Sequence, residues 1–259
     1  MSRVKDIRLK VIPSKIANDF IKKHHYSGKS VNTVLLSFGC FLDKKLHGVM
    51  QFGNPIQKKG LINLVENTGW NEFIELNRLA FDEYLPRNSE SRCLSIAVKL
   101  LKKNAPHIKW IVSFADGTQC GDGTIYRASG FLLTAIKKNK GIIEMPDGLI
   151  THTTAFNPMG NGSGNVKRKY NWQEGKSKTK QFAKLGVKIL VGFQLRYIYL
   201  IDKSCKITVP ILPFSKIKEI GASMYLGKKC DVGVKRSTAS FQDVGGGAIP
   251  TTSLHLNHV

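Results

Sequence analysis

The sequence predicts an α/β domain with at least one parallel strand crossover, and three observations predict it. Strand-like and helix-like segments alternate between about residues 70 and 136. One of the strands, Lys109–Ala115, is almost continuously apolar, as expected in the middle of a sheet. The segment before it places Cys93, Ile96, Ala97, Leu100 and Leu101 on one helical face.

The elements follow in order. Pro13 to Lys23 predicts a helix with Ile16, Phe20 and Ile21 on one side, stopped at Gly28. Thr33–Leu42 and Leu46–Phe52 predict two strands, joined as a hairpin through Asp43-Lys44-Lys45. Trp70–Phe81 is the next strand, with Glu75, Asn77 and Arg78 set between apolar residues. Pro86-Arg87-Asn88-Ser89 opens the apolar-faced helix, with Asn88 or Ser89 as its N-cap, and Pro106 closes it. Asp116-Gly117 ends the apolar strand. A short helix over Thr124–Ser129 stops at Gly130, and Phe131–Ile136 is a further strand. Strand, helix, strand, helix, strand implies the parallel crossover.

The composition shifts at Lys137. Between there and Lys188 eleven basic residues face three acidic ones, around Gly160-Asn161-Gly162-Ser163-Gly164. A flexible basic arm is the expectation. Leu190–Ile201 returns to strand character, Asp202-Lys203 is a turn, and Ile207–Leu212 is a short edge strand because of its internal Pro210. The expected organisation is a core over residues 1–136, a basic insertion over 137–188, C-terminal strands of the same domain over 189–230, and a poorly ordered Gly-rich tail over 231–259.

With 40 basic and 18 acidic residues in 259, the net charge is +22. A field of that size attracts polyanions, which names nucleic acid as the partner class without naming a reaction. No run approaches the roughly 18 apolar residues of a membrane span, and no apolar signal core follows the N-terminus, so a cytoplasmic protein with no membrane partner is expected. The five cysteines (Cys40, Cys93, Cys120, Cys205 and Cys230) are widely spaced with no CxxC, which argues against a disulfide framework or structural zinc. Cys40 and Cys93 sit among apolar neighbours and are expected in the core.

Three features carry the residue types of chemistry. Asp116 ends the central strand, where open sheets bind ligands; it is a base, a metal ligand or a turn residue. Tyr126 follows ten residues later near a helix start, as a proton donor or acceptor, a ligand for a hard metal, or a packed ring. The cluster His24-His25-Tyr26 offers imidazole and phenol together at a helix end, or is a surface cluster. In the basic arm, Lys167, Arg168, Lys169, Lys176, Lys178 and Lys180 are candidate phosphate ligands, with Tyr170 and Trp172 available to stack on a base or wedge a duplex; the alternative is a solvated loop. The sequence lacks a Gly-x-Ser-x-Gly elbow, a phosphate-loop Lys-Ser/Thr and the zinc deaminase pattern.

Glu75-Leu76-Asn77-Arg78-Leu79, Pro86 to Arg92, Ser113-Phe114-Ala115-Asp116 and Gly123-Thr124-Ile125-Tyr126 with Gly130-Phe131 occur in the order seen in the phage Mom family, which the chain resembles. The likeness extends to His24–Gly28 and to the region 193–225, including Gln194-Leu195-Arg196-Tyr197 and Pro210–Phe214. It implies a fold related to the GNAT N-acetyltransferases, with a mixed, V-splayed sheet flanked by helices. It implies conversion of adenine in DNA to N6-carbamoylmethyladenine, an anti-restriction modification made in the bacterial host cell. The family's functional positions map onto His25, Tyr26, Arg78, Asp116 and Tyr126, and a bound iron would take His25, Tyr26, Asp116 and Tyr126 as ligands. The acetyltransferase phosphate loop is replaced here by Arg87-Asn88-Ser89-Glu90-Ser91-Arg92, without glycine and with Glu90, whose charge would repel phosphate. Arg87, Ser89, Ser91 and Arg92 are the residues left to hold a donor, acetyl-CoA or another activated molecule. Double-stranded DNA and that small-molecule donor are the expected partners, with a homodimer as an open alternative. A conventional N-acetyltransferase acting on RNA, protein or a small molecule, and a non-catalytic nucleic-acid-binding protein, are the competing readings.

Overall fold

Asp43 and Lys44 both take positive φ, 50° and 65°, the backbone of a two-residue type I′ turn, and that turn joins β2 (Val34–Leu42) to β3 (Lys45–Gly53) as the expected hairpin. The computed structural model describes residues 3–119, 121–157, 163–225 and 228–229. Before the hairpin come β1 (Arg8–Val11), an edge strand with no counterpart in the sequence reading, and α1 (Ser14–His24). After it come β4 (Phe73–Phe81), α2 (Ser89–Asn104), β5 (Trp110–Asp116), α3 (Thr124–Ala128), β6 (Leu132–Glu144) and β7 (Ile150–His152). The chain continues through α4 (Ser163–Lys169), α5 (Lys178–Lys184), β8 (Lys188–Leu200) and α6 (Ser215–Glu219), and a two-residue pairing of Met224–Tyr225 with Lys228–Lys229 ends the described part.

Eight strands form one mixed sheet in the order β1-β2-β3-β4-β5-β8-β6-β7. Every pairing is antiparallel except β4 with β5, which α2 connects as the predicted crossover. That pair holds for only three residues: Phe73↔Trp110, Ile74↔Ile111 and Glu75↔Val112. Beyond Glu75, β4 stays with β3 and β5 stays with β8, so the two strands diverge and the sheet splits into a fork. The buried Ser113 hydroxyl donates to the Leu76 carbonyl at 3.1 Å and ties the fork just past its apex. The mixed, splayed sheet flanked by helices is the α/β architecture the sequence predicts.

A bulge in β4 decides which way the fork's side chains face. Gln51 pairs with Arg78 and Phe52 with Leu76, so Asn77 is an extra residue on β4. Before the bulge, Ile74 and Leu76 enter the main core with α2; after it, Leu79 and Phe81 do. The parity therefore flips at Asn77. Arg78 shares a face with Glu75, and with Ala80, which packs against Ala17 and Ile21 of α1. On α1 the buried stripe is Ala17 and Ile21 with Phe20 beside it; Ile16, expected on that stripe, is exposed. Cys40 and Cys93 lie in the main core as expected, and Cys205 is half-buried; Cys120 and Cys230 lie outside the described residues.

The described residues between 137 and 188 do not form a flexible arm. Strand β6 runs on to Glu144, eight residues past its predicted end, and β7, a 3-10 turn over Thr153–Phe156, α4 and α5 follow. Buried Ile143, Met145, Ala155 and Phe156 gather Val166, Tyr170, Trp172, Phe182, Leu185 and Val187 into a second core. The lysine-rich end of β6 hides its strand character because its solvent side carries the charges. Ile207–Leu212 makes one isolated bridge, Val65↔Ile207, and no strand, consistent with the missing N–H of Pro210. The expected strand at Trp70 begins at Phe73. Gly160-Asn161-Gly162 and the tail 231–259 lie outside the described residues. Among the described residues no helix is long and apolar enough to cross a membrane.

Candidate functional site

Arg78 is the hub of the fork. Burial lowers its pKa, while Tyr26, Glu75 and Tyr126 act on it in the opposite sense, so all three lie within electrostatic reach of the guanidinium. Its Nε donates to the Lys29 carbonyl at 3.1 Å and its Nη1 to the Asn77 carbonyl at 2.7 Å. It forms no ion pair among the described residues. Two carbonyls hold the guanidinium in place without neutralising its charge, as suits a cation that receives an anionic ligand.

His25 follows the last residue of α1, in extended backbone. Its Nδ1 accepts the Ser27 N–H at 3.1 Å and lies 2.8 Å from the Ser27 hydroxyl. A nitrogen that accepts an N–H is unprotonated, so the neutral ring carries its proton on Nε2. Burial, aided by Arg78, pushes its pKa down to about 3, so it is neutral at physiological pH. The Tyr26 ring lies 4.2 Å from it, centroid to centroid. Across the fork, Tyr126 on α3 packs on Phe131 and Tyr197 at 5.5 and 5.3 Å. Gly123 permits this: its φ is 74°, and a Cβ there would meet the Tyr197 ring at 2.6 Å and that of Tyr126 at 3.0 Å.

Glu75 is the residue the sequence reading left among the motif letters without a role. Burial at the fork's apex pushes its carboxyl up to about 7, against the opposing influence of the Asn77 side chain and Arg78. The backbone crowds this point closely: a Cβ on Gly53, the cross-strand partner of Glu75, would lie 2.1 Å from the Thr33 carbonyl and 2.6 Å from Asn77 Oδ1. Asn77 Oδ1 is itself buried with no hydrogen-bond partner. Lys29 reaches across the sheet, its Nζ donating to Thr151 Oγ1 of β7 at 2.8 Å. The motif includes Glu75 but gives it no role, and no sequence signal marks Lys29; the bulge and the divergence of β4 and β5 set Glu75 beside Arg78.

Charge and ring contacts tie His25, Tyr26 and Tyr126 to Arg78, while the Asp116 carboxylate is engaged in its own turn. Asp116 Oδ1 accepts the Thr118 N–H at 2.9 Å and Oδ2 accepts from Gln119 Nε2 at 3.0 Å, the pattern of a turn aspartate. Its charge reaches His152, whose pKa burial lowers and Asp116 raises.

The expected iron ligands do not fit the metal. His25 presents a protonated Nε2, because Ser27 occupies its Nδ1. Both Asp116 oxygens are engaged by the turn. Among the described residues no cluster of three or more His, Cys, Asp or Glu is placed to hold a metal ion.

At the start of α2, Asn88 stands in the left-handed region at φ 69° with no side-chain cap. Ser89 is fully buried and its hydroxyl donates to the Pro86 carbonyl, which turns it away from a ligand. Ser91 donates to the Asn88 carbonyl at 3.2 Å, and Arg87 and Arg92 are exposed. In the second core, the Trp172 ring packs tilted against Phe156 at 4.6 Å, and the Tyr170 hydroxyl donates to the Asp147 carboxylate at 2.7 Å. Neither ring is free to wedge a duplex. Lys167 pairs with Glu174, Lys169 with Asp147 at 2.5 Å, and Lys178 bonds Asn157. Arg168 bonds Asn165 Oδ1 at 2.7 Å, while Lys176 and Lys180 are exposed and form no ion pair among the described residues.

Comparison with solved structures gives the IAA acetyltransferase from Bacillus cereus ATCC 14579, 11% identical over 75% of this chain and 99% of that one with a TM-score of 0.40. It also gives the ribosomal-protein-S18-alanine N-acetyltransferase from Escherichia coli, 11% identical over 75% and 94% with a TM-score of 0.41. Among curated proteins, the methylcarbamoylase mom of Escherichia phage Mu is 37% identical over 131 residues, 49% of this chain. That alignment spans 53% of the phage Mu protein, about half its length. The model of the Mom protein family matches residues 6–216, and the chain belongs to that family.

Proposed function

We propose that this chain is a phage DNA-modification enzyme that transfers a carbamoylmethyl group to the exocyclic amine of adenine in double-stranded DNA. The product is N6-carbamoylmethyladenine, which shields phage DNA from host restriction. The observation that carries this reading is the gathering of Tyr26, Glu75 and Tyr126 around the desolvated Arg78 at the fork, in a member of the Mom family.

The adenine amine is paired and stacked in a duplex, so the base must leave the helix, at a cost of a few kcal/mol. It is also a poor nucleophile, because its lone pair is delocalised into the ring. Two things help it react: an activated donor and a base that removes its proton. Arg78 orients an anionic group of the donor. The amine nitrogen attacks the donor's methylene carbon, and the leaving group departs with its bonding pair. Glu75, with a carboxyl poised near neutrality, takes the proton released from nitrogen. Neutral His25 offers an Nε2–H to an oxygen of base or donor, and Tyr26 and Tyr126 line the reaction centre. Asp116 fixes the turn that leads to Tyr126. The donor enters from the α2 N-terminus, where Arg87, Ser91 and Arg92 supply charge and hydroxyl; an acetyl group alone lacks the amide nitrogen. The exposed Arg168, Lys176, Lys178 and Lys180 hold the DNA backbone.

Nucleoside mass spectrometry on plasmid DNA from expressing cells, beside an Asp116→Ala control, tests this. The expected result is an adenosine species heavier by a carbamoylmethyl group, absent in the control. Unmodified DNA in an expressing culture whose lysate contains the donor contradicts it.

A further inference from the structure

The loop leaving β3 carries two large apolar side chains that no core uses. Ile56 is 84% exposed and Trp70 50% exposed. With Asn54, Gln57, Lys58 and Lys59 they line an open groove of about 550 Å³. Lys58 is buried beneath it: its Nζ donates to Asn54 Oδ1 at 2.7 Å and lies 5.3 Å from the Trp70 ring centroid and 5.1 Å from that of Phe73. The ammonium thus braces Trp70 by a cation–π contact and leaves half of the side chain's surface open.

The groove adjoins the fork. Gly53 pairs with Glu75, Asn54 is the next residue, and Gln51 pairs with Arg78. At about 3.3 Å per residue, Asn54 lies about 10 Å along the strand from Arg78. The loop joins β3 to β4 at the closed end of the fork, where Phe73 pairs with Trp110, while β6 and β8 carry the basic module away at the Asp116 end. The partner that fits an apolar pair beside lysines on a chain of net charge +22 is a base stack flanked by phosphates.

We infer that Ile56 and Trp70 form the wedge that enters the duplex beside the flipped adenine. Ile56 fills the space the base leaves, and Trp70 stacks on the neighbouring base. Lys58 braces Trp70 and Lys59 meets the backbone. This is the task that Tyr170 and Trp172, held in the second core, do not perform. The inference rests on the DNA-adenine reading above.

The test is fluorescence anisotropy with two short duplexes that differ at one position. In one a central adenine faces thymine; in the other it faces an abasic site and is already unpaired. The proteins are the full chain, an Ile56→Ala/Trp70→Ala variant, and Ile211→Ala as an exposed apolar reference outside the groove. Both groove side chains are exposed, and thermal melts verify that the variants fold. The wedge predicts about tenfold weaker binding of the paired duplex by the double variant, a loss on the scale of one base-stacking contact. It predicts a loss of no more than about threefold on the pre-opened duplex, and unchanged binding by Ile211→Ala. Equal losses on both duplexes, no loss on either, or an equal loss in Ile211→Ala overturns the wedge while the function stands. Failure of the unaltered chain to bind either duplex overturns the DNA reading and the wedge together.

Discussion

The fork between β4 and β5 and the module over residues 137–188 hold their charges in opposite ways. At the fork, Glu75, Arg78 and His25 are few and desolvated; burial pushes the carboxyl up and the guanidinium and imidazole down. In the module, lysines are many and mostly exposed, and several are paired, as Lys169 is with Asp147, whose carboxyl falls to about 2. Desolvated, weakly compensated groups suit chemistry, because their protonation and charge respond to a bound ligand. Exposed, screened charges suit long-range attraction and contribute little to stability. That contrast fits the proposed function, with catalysis at the fork and DNA contacts in the module.

Several variants break or sharpen that division. Phe156 is buried at the centre of the second core. Phe156→Ala should cost about 3–5 kcal/mol there, and hydrogen exchange should show protection lost over α4 and α5 while β4 and β5 keep theirs. Loss of protection in both regions at once would mean that they fold as one unit. Arg78→Gln should lower modification by at least about 100-fold, the scale of losing one preorganised charge at a reaction centre, read by nucleoside mass spectrometry.

Glu75 gives a pH signature. Its folded pKa of about 7 lies above its ordinary 4.5, so its stabilising contribution is complete below about 4.5 and is lost as pH rises through 7. Glu75→Gln should therefore gain stability over the unaltered chain across that window, by on the order of 3 kcal/mol, with a constant difference above it. His25 acts in the reverse sense: its depressed pKa stabilises the fold above 6.5, and that contribution is lost as pH falls toward 3. Urea melts across the pH range read both. The smallest effect belongs to single lysines. Lys176→Ala and Lys180→Ala should each weaken DNA binding a few-fold and lower the salt slope of log affinity by about 0.9.

Much of this fold was legible in the sequence. The hairpin at Asp43-Lys44, the apolar strand β5, the helix α2 and the parallel crossover follow from turn chemistry and hydrophobic periodicity. What escaped was set by tertiary context. β1 is four mostly exposed residues whose pattern carries no signal. The second core recruits apolar residues scattered among lysines, so its composition resembles a loop. In the site, family likeness pointed to His25, Tyr26, Arg78, Asp116 and Tyr126; His25, Tyr26 and Tyr126 lie within electrostatic or ring contact of one another or of Arg78, and Asp116 is engaged in a turn. Glu75 and the exposed pair Ile56 and Trp70 were not legible, because a bulge at Asn77 and a loop beside Gly53 place them. The iron expectation finds no support at His25, whose Nδ1 accepts the Ser27 N–H.

On the proposed function the fork performs the chemistry and the module holds the DNA. The most direct test of this division is the DNA affinity of Arg78→Gln measured across a salt series. The account predicts affinity within about threefold of the unaltered chain and an unchanged salt slope, since Arg78 neutralises no backbone phosphate. A slope lower by about one unit, with correspondingly weaker binding, would make Arg78 one more phosphate ligand and contradict the division.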